Sequence, residues 1–136
     1  MNDCIFCSIR DGEIPAQKVY EDDAIFVILD INPVNPGHAL IIPKKHSINM
    51  LDTDDETLAQ LAVVSKKVAS AVMGSLDYQA FNLEVNNGEA AGQIVPHAHW
   101  HIVPRKVDDG LKHWLGHPYE TGVDVEIAQK IKSEIK

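Results

Sequence analysis

The sequence predicts an α+β fold: an antiparallel β-sheet of about five strands with one long covering helix and a C-terminal helix. Three observations predict it. The candidate elements run strand, strand, strand, helix, strand, strand, helix; loops between neighbouring strands are too short for parallel crossovers; and one long stretch repeats apolar side chains at helical spacing. With 136 residues and 45% hydrophobic content, the chain is expected to be one domain over 1–136, its core about 4–105 and a tail and helix over 106–136.

The opening segment, with Phe6 and Ile9 inward, reads as a short helix ending near Asp11-Gly12. Residues 18–21 and 24–30 read as strands joined around Glu21-Asp22-Asp23, and the second carries the run Ile25-Phe26-Val27-Ile28-Leu29. Asn32-Pro33-Val34-Asn35-Pro36-Gly37 cannot continue a ladder through two prolines, so it is a loop that delivers His38 to a strand over 39–42.

A helix begins after Thr53, where Thr53-Asp54-Asp55-Glu56 reads as a capping box that puts carboxylates at the positive end of the dipole. Leu58, Leu61, Ala62, Val68, Ala69 and Val72 form its expected buried stripe, with Lys66 and Lys67 on the solvated side and an end near Gly74. Residues 80–85 form the next expected strand, 86–92 its turn and 97–103 the returning partner. A last helix over about 124–135 has Ala128, Ile131 and Ile135 on one side. A sheet edge or face left uncovered makes a homodimer the expected assembly.

The formal charge of −8 excludes a broad electrostatic footprint for a nucleic acid polymer, while small anions can still be held locally by amides and histidines. The N-terminus lacks the basic and apolar regions of a signal peptide, and no apolar run has the length of a membrane span, so a cytoplasmic protein is expected. Cys4 and Cys7 form a single C-x-x-C pair, which in a reducing compartment points to metal binding or redox chemistry.

The chemistry concentrates in Pro96-His97-Ala98-His99-Trp100-His101-Ile102-Val103-Pro104. Strict alternation puts the three imidazoles on one face of a strand and turns Trp100 towards the core. Residues two apart on a strand stand roughly 7 Å from each other, so one metal ion cannot take all three rings without bending the strand. His113 and His117 in the tail read as incidental histidines of a solvated loop.

The alternating stretch resembles the defining pattern of the histidine triad (HIT) family, His-φ-His-φ-His-φ-φ with φ apolar. The resemblance extends to Cys4-Ile5-Phe6-Cys7, Gly12-Glu13-Ile14-Pro15, Leu29-Asp30-Ile31, Pro36-Gly37-His38, Ile42-Pro43-Lys44-Lys45-His46 and Gly92-Gln93, over roughly the first 105 residues. It implies a HIT-like fold and nucleotide chemistry: binding of a purine nucleotide and cleavage at its α-phosphorus through a nucleotidyl-histidine intermediate. Phosphoramidates and dinucleoside polyphosphates are the substrate candidates. By motif position, His99 is the nucleophile, His101 serves the phosphate and the leaving group, and His38 completes the cluster. Asn86, Gly92, Gln93 and Ile94 would hold the phosphate, Asp30 the ribose, and Phe6, Ile9, Ile28 and Ile31 the base.

Many members of prokaryote type with this cysteine pair bind zinc, and the resemblance therefore implies a structural Zn2+ on Cys4, Cys7, His46 and His97 and no catalytic metal. A redox pair should start a helix within a βαβ unit, a context absent here. The competing function class is a nucleotide-binding regulatory or scaffold protein with incidental turnover.

Overall fold

The computed structural model describes residues 3–112 and 114–136; Met1, Asn2 and His113 lie outside the described residues. In chain order it contains α1 (Ile5–Arg10), β1 (Lys18–Glu21), β2 (Ile25–Leu29), β3 (Ala39–Pro43), α2 (Asp55–Ser75), β4 (Ala80–Glu84), β5 (Trp100–Arg105) and α3 (Val123–Glu134). The five strands form one sheet in the order β1-β2-β3-β5-β4, and every neighbouring pair is antiparallel. The fold class expected from the sequence is the one observed.

The unbroken apolar run of β2 is explained by cover on both faces. Ile25 and Val27 join Ala39, Ile41 and Ile102 under α2, against Leu61, Val64, Val68, Ala69 and Val72. Phe26 and Ile28 turn the other way, where with Leu40 and Ile42 they meet Phe6 and Ile9 of α1. Each such aliphatic side chain contributes about 1.5–3 kcal/mol by leaving water. Trp100 packs against the α2 side, as alternation requires.

Four boundaries or faces differ from expectation. The N-cap of α2 is Asp54, not Thr53: the Asp54 carboxylate accepts the Thr57 N–H at 2.9 Å, while the buried Thr53 hydroxyl donates to Asn49 O. Within the helix Ala62 is exposed while Val64 and Ser65 are buried, because the stripe steps through 61, 64–65, 68–69 and 72. The C-terminal helix forms but buries none of its residues, so Ala128, Ile131 and Ile135 cover no part of the described core.

The fourth difference concerns the histidine stretch. The returning strand starts at Trp100 and runs to Arg105, which leaves His97 and His99 ahead of the ladder. Ala98 marks where pairing stops: its N–H donates at 2.8 Å to Ser47 O, in the loop beyond β3, and not to a strand. Pro104 lies beyond the register with β3, where its missing N–H interrupts no ladder on that side.

Gly37 closes the two-proline loop at φ +97°, and a Cβ there would stand 2.7 Å from Leu76 Cδ1. The leucine tip can move, but the backbone angle cannot be relieved. Gly37→Ala is therefore expected to destabilise by about 1–3 kcal/mol, read as a lower urea midpoint with an unchanged m value. No helix among the described residues is long and apolar enough to cross a membrane.

Candidate active site and metal centre

Although only His101 belongs to β5, the imidazoles form one row, bridged between His97 and His99 by Phe6. His46 meets His97 at a centroid separation of 4.7 Å, Phe6 lies edge-on to His97 at 5.8 Å and to His99 at 5.0 Å, His99 meets His101 at 5.0 Å, and His101 meets His38 at 5.2 Å. The strand expectation thus gave the shared face correctly and the pairing wrongly. Asp30 joins the end of the row, its Oδ2 3.6 Å from His38 Nε2 and its Oδ1 holding the Asn32 N–H.

The partners assign the ring protons. His99 Nδ1 lies 2.7 Å from the His97 carbonyl, which can only accept, so Nδ1 carries the hydrogen and Nε2 keeps a lone pair. His38 Nδ1 accepts the Val34 N–H at 3.1 Å, so the His38 proton sits on Nε2 and is donated to His101 Nδ1 at 2.9 Å. His101 is then left with its hydrogen on Nε2. The site therefore presents a bare nitrogen on His99 beside a donor on His101.

Burial is the main reason these rings stay neutral. It pushes His99 and His38 below the ordinary histidine range, and His97 and His101 down to about 4. Histidines with a depressed folded value are protonated more readily in the unfolded chain. For His97 and His101 the contribution to stability is complete above about pH 6.5 and disappears as the pH falls towards about 4, and His99 and His38 act in the same direction. Urea unfolding of chelator-treated protein is expected to show a midpoint that falls continuously across that window, and a flat midpoint would contradict the burial argument.

Cys4, Cys7, His46 and His97 bring their ligand atoms within 4.8 Å of one another. Cys4 Sγ to His97 Nδ1 is 3.3 Å, Cys7 Sγ to His46 Nδ1 3.4 Å, Cys7 Sγ to His97 Nδ1 3.6 Å, and the two Nδ1 atoms 3.1 Å apart. A tetrahedral ion with Zn–N and Zn–S bonds of about 2.1 and 2.3 Å has ligand separations of roughly 3.3–3.7 Å. His97 Nε2 donates to Pro43 O at 2.8 Å, so its Nδ1 aims a lone pair into the cluster. The residues fit a closed Cys2His2 site, and the cysteines are not joined by a disulfide.

A second group, Asp30, His38 and His101, is similarly close. It is a poorer ligand set, because the Val34 bond keeps the hydrogen on His38 Nε2, the atom that would have to bind.

The remaining predicted residues divide. Asn86 stands beside Gly92, whose φ of +93° turns the loop; a Cβ there would be 3.8 Å from Asn86 Nδ2. The Gln93 side chain instead ties the loop internally: Oε1 accepts from Gly88 N, and Nε2 donates to Ile48 O and Val95 O. Ile94 is exposed. Phe6, Ile9 and Ile28 are wall residues of the core, whereas Ile31 is 89% exposed at the rim.

Sequence reasoning missed the carbonyls of Pro43 and Ser47 and the Val34 amide, which act through the backbone and leave no residue-type signal. It also missed Asn35, which bonds Pro104 O and Asp109 and anchors the His38 loop.

The family profile described as "HIT domain" matches residues 11–108. The protein belongs to the HIT family.

Among HIT relatives, adenylylsulfatase HINT3 of Arabidopsis thaliana is 46% identical over 81% of this chain, which spans 56% of that protein's length. The adenosine 5'-monophosphoramidase hnt1 of Schizosaccharomyces pombe is 38% identical, with 98% of each chain aligned. A Zn-bound histidine triad family protein from Mycobacterium smegmatis superimposes with a TM-score of 0.78 at 38% identity, covering 97% of this chain and 98% of its own. This HIT protein thus has relatives named as nucleotide hydrolases and one named as zinc-bound.

Proposed function

We propose that this HIT protein is a nucleotide hydrolase or transferase cleaving at the α-phosphorus of purine nucleoside phosphoramidates or dinucleoside polyphosphates. The observation that carries the reading is the His99 tautomer: with Nδ1–H fixed on the His97 carbonyl, the lone pair of a buried, neutral Nε2 is available for attack.

In the proposed sequence His99 Nε2 forms a bond to phosphorus as the bond to the leaving group breaks. The hydrogen on His101 Nε2 passes to the departing nitrogen or oxygen. Water then attacks the nucleotidyl-His99, returns a proton to His101 and releases the nucleotide. His38 holds His101 in the tautomer the first step needs. Asp30 serves the ribose hydroxyls, Asn86 and the turn at Gly92 face the phosphate, and Gln93 supports that turn. Phe6, Ile9 and Ile28 form the base wall, with Ile31 closing its rim. Zinc bound to Cys4, Cys7, His46 and His97 would be structural, supplying a fourfold crosslink and no chemistry. The phosphoramidate choice draws support from the name of the fission yeast relative.

The whole chain acts as one HIT unit, and its thiol ligands suit the cytoplasm. Its dimer would use the open edge of β4 with the apolar groove between β4 and α2, where Phe81, Leu83 and Met73 lie beside small residues of the helix. Leu83→Lys is expected to halve the mass measured by sedimentation equilibrium, and a monomeric parent protein refutes the assembly.

The experiment that tests the function is incubation with adenosine 5'-phosphoramidate and with diadenosine polyphosphates, followed by AMP measurement and acid trapping of adenylyl-protein. AMP release with a trapped adduct is expected. If AMP binds but neither compound is cleaved, the scaffold reading replaces the enzyme reading.

A further inference from the structure

His99 is not held by the sheet. It precedes β5, and the chain on its N-terminal side is fixed by bonds that converge on the Cys/His cluster. His97 contributes three of them: Nε2–H to Pro43 O, Nδ1 into the cluster, and its carbonyl to His99 Nδ1–H. Ala98 N–H donates to Ser47 O, the residue next to the cluster member His46. Phe6, which lies between Cys4 and Cys7 on α1, packs edge-on against both His97 and His99. A six-residue helix cannot hold itself in place, and α1 is seated both by this cluster and by Phe6 and Ile9 in the core. The backbone on the N-terminal side of His99 is therefore fixed from the cluster, while His101 flanks the ring from β5.

We propose that Cys4, Cys7, His46 and His97 are positioning residues for His99: the closed metal cluster sets the carbonyl that fixes the His99 tautomer and the ring edge that fixes its direction. The consequence for catalysis rests on the reading of His99 as nucleophile; the effect on its ring does not. When the cluster opens, the 97–99 segment loses its anchor while α1 stays seated on the core through Phe6 and Ile9, and the His97 carbonyl no longer selects Nδ1–H on His99. Core packing through Phe26, Ile41 and Ile102 is on other elements and persists.

The test joins a ring spectrum to kinetics. In 1H–15N long-range spectra the zinc-loaded parent protein is expected to show His99 as the pure Nδ1–H tautomer. The Cys4→Ser/Cys7→Ser double variant is expected to show a mixture of tautomers. With adenosine 5'-phosphoramidate its kcat should fall about tenfold or more while its Kd for AMP stays within about twofold, the pattern of lost positioning without lost binding. Cys4→His, which keeps a four-ligand set, should restore both the tautomer and kcat.

A folded, metal-free double variant with an unchanged His99 signal and unchanged kcat overturns the proposal. So does equal loss in Cys4→His with zinc bound. If the double variant does not fold, stepwise chelation of the parent protein reads the same His99 signal before the fold is lost, and an unchanged signal at complete zinc removal is again decisive. A parent that releases no AMP defeats the nucleophile reading, while the tautomer still decides whether the cluster positions the ring.

Discussion

His99→Ala is expected to lower AMP release from adenosine 5'-phosphoramidate by at least about 10^4-fold and to abolish the acid-trapped adduct, with little change in the Kd for AMP. The effect is large because the covalent route ends without the nucleophile. The other groups of the row remain: His101 still receives the His38 hydrogen, and the loop at Gly92 is tied by Gln93 rather than by His99. The lost His99 bond to the His97 carbonyl costs about 1 kcal/mol, too little to unfold the chain. A variant that retains adduct formation, or cleaves at the parent rate, refutes the assignment.

Removing the metal is expected to have the largest effect on stability. Stripping zinc with a chelator, or replacing buried Cys7 by alanine, should cost about 3 kcal/mol or more and lower the thermal midpoint by roughly 10 °C. The cluster crosslinks positions far apart in sequence, tying α1 to the loop after β3 and to the segment before β5. Added zinc should restore the midpoint of the stripped parent protein and leave Cys7→Ala low. Equal midpoints with and without chelator would mean that the cluster holds no stabilising ion.

The sheet was largely legible because its strands are short apolar runs bounded by proline, glycine and acidic turns, and β1 fell on the expected residues. The stripe on α2 was legible at Leu61, Val68, Ala69 and Val72 and misread at Ala62, whose size suits either face of a helix. For β5, alternation reports which side a residue faces in any extended chain, so it could not tell a paired strand from the unpaired segment that carries His97 and His99. The two histidine groups had different legibility as well. The family resemblance named the histidines of both groups, but the Val34 amide and the Pro43 carbonyl distinguish a hydrogen-bonded pair from a metal-ready set, and backbone groups are the same at every position.

Placing His99 ahead of the ladder also separates two timescales. Amides of β2 and β3, enclosed on both faces, are expected to exchange with solvent only when the whole fold opens, whereas the Ala98 amide, held by Ser47 O outside the ladder, is expected to exchange by local opening once the cluster loses its metal. His99 is thus tied to the sheet less directly than His101, its neighbour in β5.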